Sequence, residues 1–209
     1  MFFYTSDDNH DTWFHDRYDK PYSGSNLRYY TFLVALGLLH QRTKTPVIVE
    51  TGCQREEEDV GAGMSTTIFA RYVHKYGGRL ITVDNNEEHL MRAIGYVADY
   101  SDHVEFQLSD SVGWLQQYHG ECDLLYLDSL DYPVGEQADD RELQLAAQEH
   151  CLNEFKAVES RLPTHTILLV DDNRFPGGGK PGLLKAYLRE LGSWTCLLDL
   201  QQTLWVQRI

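Results

Sequence analysis

The chain has 209 residues, enough for one domain with a full core, and its 42% hydrophobic and 24% charged residues are the balance of an ordinary globular protein. Thirty-two Asp and Glu against 18 Lys and Arg give a formal net charge of −14. The basic residues are scattered rather than gathered in a stripe, so the surface repels a phosphate backbone and no nucleic acid is expected.

Residues 1 to about 25 are polar and aromatic, with Tyr4, Trp13, Phe14, Tyr18 and Tyr22 among Asp and His, and read as an irregular arm. His10 and His15 have a spacing found in metal sites that is weak by itself, while Trp13 and Phe14 suit a lid over a substrate pocket. The stretch SGSNLRYYTFLVALGLLHQ then predicts a helix capped near Ser23 or Ser25. Its apolar run, TFLVALGLL (31–39), is too short to span a bilayer, and the start of the chain lacks a basic n-region. Cys53, Cys122, Cys151 and Cys196 lie far apart without CxxC spacing. A reduced protein in a cytoplasmic location, with no membrane partner, is therefore expected.

From residue 46, β-rich apolar runs at 46–52, 79–85, 104–110, 122–129 and 166–172 alternate with helical stretches at about 65–76, 86–99, 111–119 and 138–160. That alternation predicts a parallel sheet covered on both faces. A further helix at about 181–192 precedes WTCLLDL (194–200) and TLWVQRI (203–209), separated only by Gln201 and Gln202. Strands that close together pair antiparallel, so the sheet ends in a hairpin. The expected fold is α/β: a doubly wound, mostly parallel seven-stranded sheet of Rossmann-like type. Residues 1–45 stand apart as an arm and helix, a candidate substrate lid, from a cofactor-binding domain over 46–209. Two long loops are read at 130–140 and 173–182, the latter carrying Lys180 on the substrate side.

Ligands of such sheets bind at the carboxyl ends of the strands, where strand order reverses. The first strand ends at Glu50-Thr51-Gly52, and a glycine turn, Gly61-Ala62-Gly63, leads to Ser65 and Thr66 at a helix start. A phosphate cradle at this place needs a Lys or Arg, as in GxxxxGK[ST]. Here Glu56, Glu57, Glu58 and Asp59 fill the turn instead, which would repel a pyrophosphate; individually they also fit a solvated loop tip. S-Adenosylmethionine meets the conditions better, because it has no phosphate and carries a sulfonium and an ammonium that Glu50 can face. Its carboxylate suits loop N–H groups from Gly61 to Ser65. Asp84 ends the second strand and fits a ribose contact, with Asn85 beside it, or a helix cap. Asp110 and Ser111 end the third and fit an adenine contact or, again, a cap. The charged ends of the fourth and fifth strands, Asp128 and Asp171-Asp172-Asn173, would converge beside the crevice if those strands are neighbours. Carboxylates and an amide oxygen without Cys or a His pair suit a hard cation such as magnesium. Strand alternation sends Asp171 and Asp172 to opposite faces.

The ordered set VETG…GAGMST, TVDNN, SDS, YLDSLD and LLVDDN, over residues 46–209, resembles the class I S-adenosylmethionine-dependent methyltransferases. YLDS and VDDN look like the metal-dependent O-methyltransferases, the catechol and macrolide-sugar type. The resemblance implies cofactor contacts at Glu50, Gly52, Gly61, Gly63, Ser65, Thr66, Asp84, Asn85, Asp110, Ser111 and Asp128. It also implies Mg2+ or another divalent cation on Asp128, Asp172 and Asn173, with Asp171 as the alternate. A catechol-type enzyme has a lysine three residues beyond the first metal aspartate, and this chain has Asp131 there. Asp131 and His150 are the remaining base candidates. The expected activity is metal-assisted O-methylation of a small hydroxylated metabolite, a sugar or phenolic; a homodimer is compatible with the sequence. The alternatives are a metal-independent small-molecule methyltransferase and a non-catalytic binding protein of the same fold. The absence of a [DN]PP[YF] turn after the fourth strand argues against methylation of an adenine or amide nitrogen.

Overall fold

The structure, a computed structural model, describes residues 28–57 and 64–208. His10, His15, Trp13 and Phe14 of the arm, the expected cap at Ser23 or Ser25, and Glu58, Asp59, Gly61 and Gly63 of the loop lie outside these residues. Helix α1 (Arg28–Arg42) leads into β1 (Val47–Thr51), α2 (Ser65–Tyr76), β2 (Arg79–Asp84), α3 (Glu87–Tyr96), β3 (Val104–Leu108), α4 (Ser111–Gln117) and β4 (Leu124–Leu127). There follow α5 (Arg141–Val158), β5 (Ile167–Val170), α6 (Gly182–Leu191), β6 (Trp194–Asp199) and β7 (Thr203–Gln207). The seven strands form one sheet in the order β3-β2-β1-β4-β5-β7-β6. The first five strands in chain order pair parallel, while β7 runs antiparallel to both β5 and β6. The seven-stranded mixed sheet and its closing hairpin agree with the sequence expectation.

The central strands VIVET, LLYL and ILLV are buried along their whole length, as the inner strands of a sheet covered on both faces must be. Their alternation divides the core. Ile48, Leu124, Tyr126, Ile167 and Leu169 point to the face covered by α1 and α2, through Phe32, Leu36, Leu39, Ile68 and Phe69. Val49, Leu125, Leu127, Leu168 and Val170 point to the other, against Phe155 of α5 and Leu184 and Leu188 of α6. Helix α1, read from sequence with the arm, thus supplies side chains to the main core cluster. No described helix is long and apolar enough to cross a membrane.

The reversal of strand order falls at β1, which has β2 on one side and β4 on the other. The loops after β1, β2 and β4 therefore meet at one end of the sheet. There the Asp128 N–H donates to the Thr51 carbonyl at 2.9 Å and the Gly52 N–H to the Val83 carbonyl at 2.8 Å, tying the three strand ends together.

Candidate active site

A cleft opens at this end of the sheet, lined by Gly52, Ser65, Asp84, Asn85, Asp128 and Asp131 among others. A second cavity shares Asp84, Asn85, Ser129 and Leu130 with it and is completed by Asp110, Ser111 and His150. All the described residues expected at the cofactor, apart from Glu50 and Thr66, line one of these two cavities. Thr66 nonetheless touches the first through its hydroxyl, which accepts the N–H of the lining residue Gln54 at 2.9 Å. Glu50 is fully buried, and its Oε2 accepts the hydroxyls of Thr66 at 2.8 Å and Thr82 at 2.9 Å. Its Oε1 closes no hydrogen bond, although the nearby Ser65 hydroxyl helps stabilise the carboxylate. Burial outweighs these hydroxyls and pushes Glu50 up to about 7. A buried carboxylate oxygen without a partner is costly unless a ligand supplies one, and a cationic ligand suits it best.

Gly52 has a positive φ of 78°, and a Cβ there would overlap the backbone of Asp128 and Ser129. Glycine is what lets the β1 and β4 loops touch and leaves the cleft floor open to a ligand. Asp84 is held rigidly: its Oδ2 accepts the Cys53 N–H at 3.1 Å and its Oδ1 the Asn86 N–H at 2.8 Å. It is not the cap of α3. That role belongs to Asn86, whose side chain accepts the Glu88 and His89 N–H groups, so the carboxylate of Asp84 is directed to the cleft instead. Asp110 does cap α4, taking the Gly113 N–H at 2.7 Å, and still lines the second cavity.

The acids at the ends of β4 and β5 do converge, but around protein cations. Lys180 Nζ lies 2.5 Å from Asp128 Oδ1 and 3.3 Å from Asp172 Oδ2, and its side chain is only 1% exposed. Burial disfavours its charge, yet Asp128 and Asp172 more than offset this and hold the ammonium above the ordinary lysine range. Arg28 Nε contacts both oxygens of Asp171, at 2.9 and 3.0 Å, and its Nη2 reaches Asp172 at 3.5 Å. Asp171 is fully buried and further saturated by Tyr126 Oη at 2.6 Å and Gln202 Nε2 at 3.1 Å. Expected on opposite faces, Asp171 and Asp172 instead meet the same arginine. The strand stops at Val170, and Asp172 turns into a left-handed conformation, φ 54°, so alternation no longer applies.

These contacts do not fit the expected divalent cation. Asn173 is turned away: its amide nitrogen donates to Asp199 and the Leu200 carbonyl, both at 2.6 Å, and its oxygen accepts from Lys185 at 2.8 Å. Asp171 has no oxygen to spare, and Lys180 sits between Asp128 and Asp172. No group of three or more His, Cys, Asp or Glu side chains suited to a metal occurs among the described residues. Lys180 is also not the substrate-loop residue its glycine-rich surroundings suggested. Gly179 packs on the backbone of Asp172 and Asn173, and the Lys180 N–H bonds the Asp172 carbonyl at 3.0 Å, which folds the loop inward.

Both base candidates are engaged by neighbouring side chains. Asp131, 66% exposed, forms a two-pronged ion pair with Arg55 at 2.7 and 2.9 Å. Its partial burial pushes upward, but Arg55 prevails and holds the carboxyl below its usual range, which makes it a poor proton acceptor. His150 Nε2 lies 2.8 Å from Ser129 Oγ and 3.2 Å from Ser111 Oγ, in the second cavity. Buried Glu154 accepts the Ser129 hydroxyl at 2.7 Å and lies 3.6 Å from the ring. The nearby Glu154 carboxylate raises the imidazole pKa against burial and Lys180, with Asp110 adding to the rise. A group raised on folding contributes stability that is complete below the ordinary imidazole value, about 6.5, and disappears as pH rises through the raised one. His150→Gln is therefore expected to lower the melting temperature more at pH 6 than at pH 8.5. A deficit equal at both pH values would show that the imidazole charge takes no part.

Sequence reasoning passed over Gln54. Its N–H donates to Thr66 at 2.9 Å, its oxygen accepts the Thr67 hydroxyl at 2.6 Å, and its amide nitrogen holds the Glu56 and Glu57 carbonyls. Of the acids in this loop, Glu56 faces Arg92 at 3.4 Å.

Residues 59–173 match the family model described as a methyltransferase domain, more than half of the chain. The chain belongs to this methyltransferase family. It is a class I S-adenosylmethionine-dependent methyltransferase, and the matched span carries Asp84, Asp110, Asp128 and the Asp171-Asp172 pair. No curated protein sequence matches it. Among solved structures, a Staphylococcus aureus protein assigned as a caffeoyl-CoA O-methyltransferase is similar, with a TM-score of 0.63, 12% identity, and 97% of this chain and 93% of that one covered. The Podospora anserina methyltransferase PaMTH1, solved with S-adenosylhomocysteine, gives 0.59 at 16% identity, covering 96% and 86%. The TDP-rhamnose 3'-O-methyltransferase of calicheamicin biosynthesis gives 0.56 at 14% identity, covering 98% and 97%. At such identities the likeness of this methyltransferase to its neighbours is one of fold.

Proposed function

We propose that this methyltransferase acts on a hydroxyl of a small metabolite, a sugar or phenolic, without a bound divalent ion. The observation that carries the reading is the cleft at the β1 reversal, in which Asp84 and Asp128 line the same space across the glycine floor of Gly52. The acidic surface argues against a nucleic-acid acceptor, and two of the similar structures are named as O-methyltransferases. The metal-assisted form of the reading is set aside because the Lys180 ammonium already occupies the space between Asp128 and Asp172.

S-Adenosylmethionine, when bound, supplies an electrophilic methyl group on a sulfonium. Asp84 offers fixed acceptors to ribose hydroxyls, and Glu50 offers its partnerless Oε1 to the ammonium end. Asp110 and Ser111 line the cavity that takes the adenine. Asp128 Oδ2, the oxygen not held by Lys180, is the proton acceptor: it takes the proton of the substrate hydroxyl as that oxygen bonds the methyl carbon and the carbon–sulfur bond breaks. Burial and the neighbouring Asp171 and Asp172 charges push Asp128 upward against the pull of Lys180, which favours a carboxylate that can accept a proton.

Calorimetric titration of S-adenosylmethionine tests the cofactor half. Asp84→Ala should weaken binding roughly 10- to 100-fold, the effect of losing hydrogen bonds to a charged group. Unchanged affinity would remove Asp84 from the ribose. Methyl transfer to a panel of sugars and phenolics, run beside RNA and protein acceptors, tests the other half; turnover only with the macromolecules would overturn it.

A further inference from the structure

We propose that Lys180 is a built-in counter-cation that holds the place a divalent ion would take, so that the site is closed to metal while Lys180 is present and opens to one when it is removed. The inference deepens the metal-free reading given above, but it stands on the geometry of the cluster and not on turnover.

Three carboxylates, Asp128, Asp171 and Asp172, crowd the ends of β4 and β5 against two cations, Lys180 and Arg28. Asp171 is saturated by Arg28, Tyr126 and Gln202. Asp128 and Asp172 remain, and one ammonium reaches both. A divalent ion of magnesium type needs little more than that, because it is commonly held by one or two carboxylates and keeps several of its waters. It cannot share the space with Lys180, since a second cation there would lie within a few ångströms of a buried ammonium in a medium that screens poorly. Lys180 is held in place from both ends. Its backbone N–H bonds the Asp172 carbonyl, Gly179 is pressed on the backbone of Asp172 and Asn173, and Pro181 and Gly182 lead directly into α6. The side chain is sealed at 1% exposure, so it does not swing out to admit an ion as an exposed lysine would.

Removing the ammonium reverses the charge balance. Asp128 and Asp172 then share a recess the size of a lysine head with no partner but each other, Tyr126 and Arg28. Two half-buried carboxylates that have lost their shared ammonium destabilise the fold and recruit a hard cation.

The test is Mn2+ binding followed by electron paramagnetic resonance, with melting temperatures taken with and without Mn2+ or Mg2+. The full-length wild type should take up no stoichiometric Mn2+ and melt at the same temperature with either ion. Lys180→Ala should melt lower, bind one Mn2+ at least about tenfold more tightly than any wild-type uptake, and regain about 5–10 °C at a hundredfold excess over its Kd. Adding Asp128→Asn to that variant should abolish the uptake, and Lys180→Arg should behave as the wild type. Stoichiometric uptake by the wild type that Asp128→Asn removes would overturn the proposal, as would a folded Lys180→Ala that neither binds Mn2+ nor is stabilised by it. If Lys180→Ala does not fold, Lys180→Met, which keeps the apolar stem, is measured in the same way. If neither folds, recovery on refolding with Mn2+ supports the proposal and failure to recover overturns it. Because each readout is metal uptake or melting, an unproductive substrate screen would count against the methyl acceptor and leave this result standing.

Discussion

Glu50→Gln should make the cofactor-free protein more stable at pH 8 while weakening its hold on S-adenosylmethionine. Glu50 is fully buried, and burial raises it from 4.5 to about 7. An acid raised on folding leaves stability undiminished below its ordinary value and subtracts from it as pH climbs toward the raised one, because the unfolded chain then holds the charge more comfortably. The full penalty is reached above pH 7 and is about 3 kcal/mol for a shift of this size. Gln keeps the shape and can still accept from Thr66 and Thr82, though its amide nitrogen inherits the place of the partnerless oxygen. A net gain of about 1–2 kcal/mol, or roughly 2–8 °C in melting temperature at pH 8, is expected, fading toward pH 5. Affinity for the cationic cofactor should fall roughly 10- to 100-fold over the same substitution. A variant that is less stable at pH 8, or that binds the cofactor as well as the wild type, would show that Glu50 is a structural acid and not a waiting counter-charge.

Gly52→Ala should be among the most damaging single-methyl additions at the described glycines. At a φ of 78° an L-residue is strained by about 1–2 kcal/mol, and here the added carbon also overlaps the Asp128 carbonyl and the Ser129 backbone. Backbone cannot step aside as a side chain can, so a loss of about 3–5 kcal/mol is expected, roughly 6–20 °C in melting temperature, together with loss of cofactor binding. Gly192 supplies the control. It has nearly the same φ, 69°, at the end of α6, with nothing within reach of an added Cβ. Gly192→Ala should cost only the strain. Equal losses at both positions would mean that conformation, and not the close approach of the β1 and β4 loops, explains Gly52.

The fold was legible in the sequence because it rests on periodicity. Apolar runs such as Val47–Val49, LLYL and ILLV have one reading in a sheet covered on both faces, and two strands separated by Gln201 and Gln202 can only turn back. The cleft residues Gly52, Asp84, Asp110 and Asp128 were legible for the same reason, since each sits where a strand runs out. What the sequence concealed is which charge meets which. Arg28 lies 143 residues from Asp171 and Lys180 lies 52 from Asp128, and neither separation carries a local pattern. Asp171-Asp172-Asn173 reads as a ligand triad until Asp172 enters the left-handed region and Asn173 turns to Lys185 and Asp199. Asp131 reads as a base until Arg55 is seen beside it.

The seating of Gly52 on the Asp128 backbone also determines where this enzyme is free to change. The floor of the cleft is backbone against backbone, so its width is a constant of the sheet and owes nothing to the loop residues 55–57 and 130–140. Insertions, deletions and charge swaps in those loops remodel the walls while the reacting centre stays put. Such a division lets one methyl-donor site be offered to many acceptors, and it makes the two loops the natural place to graft a new specificity.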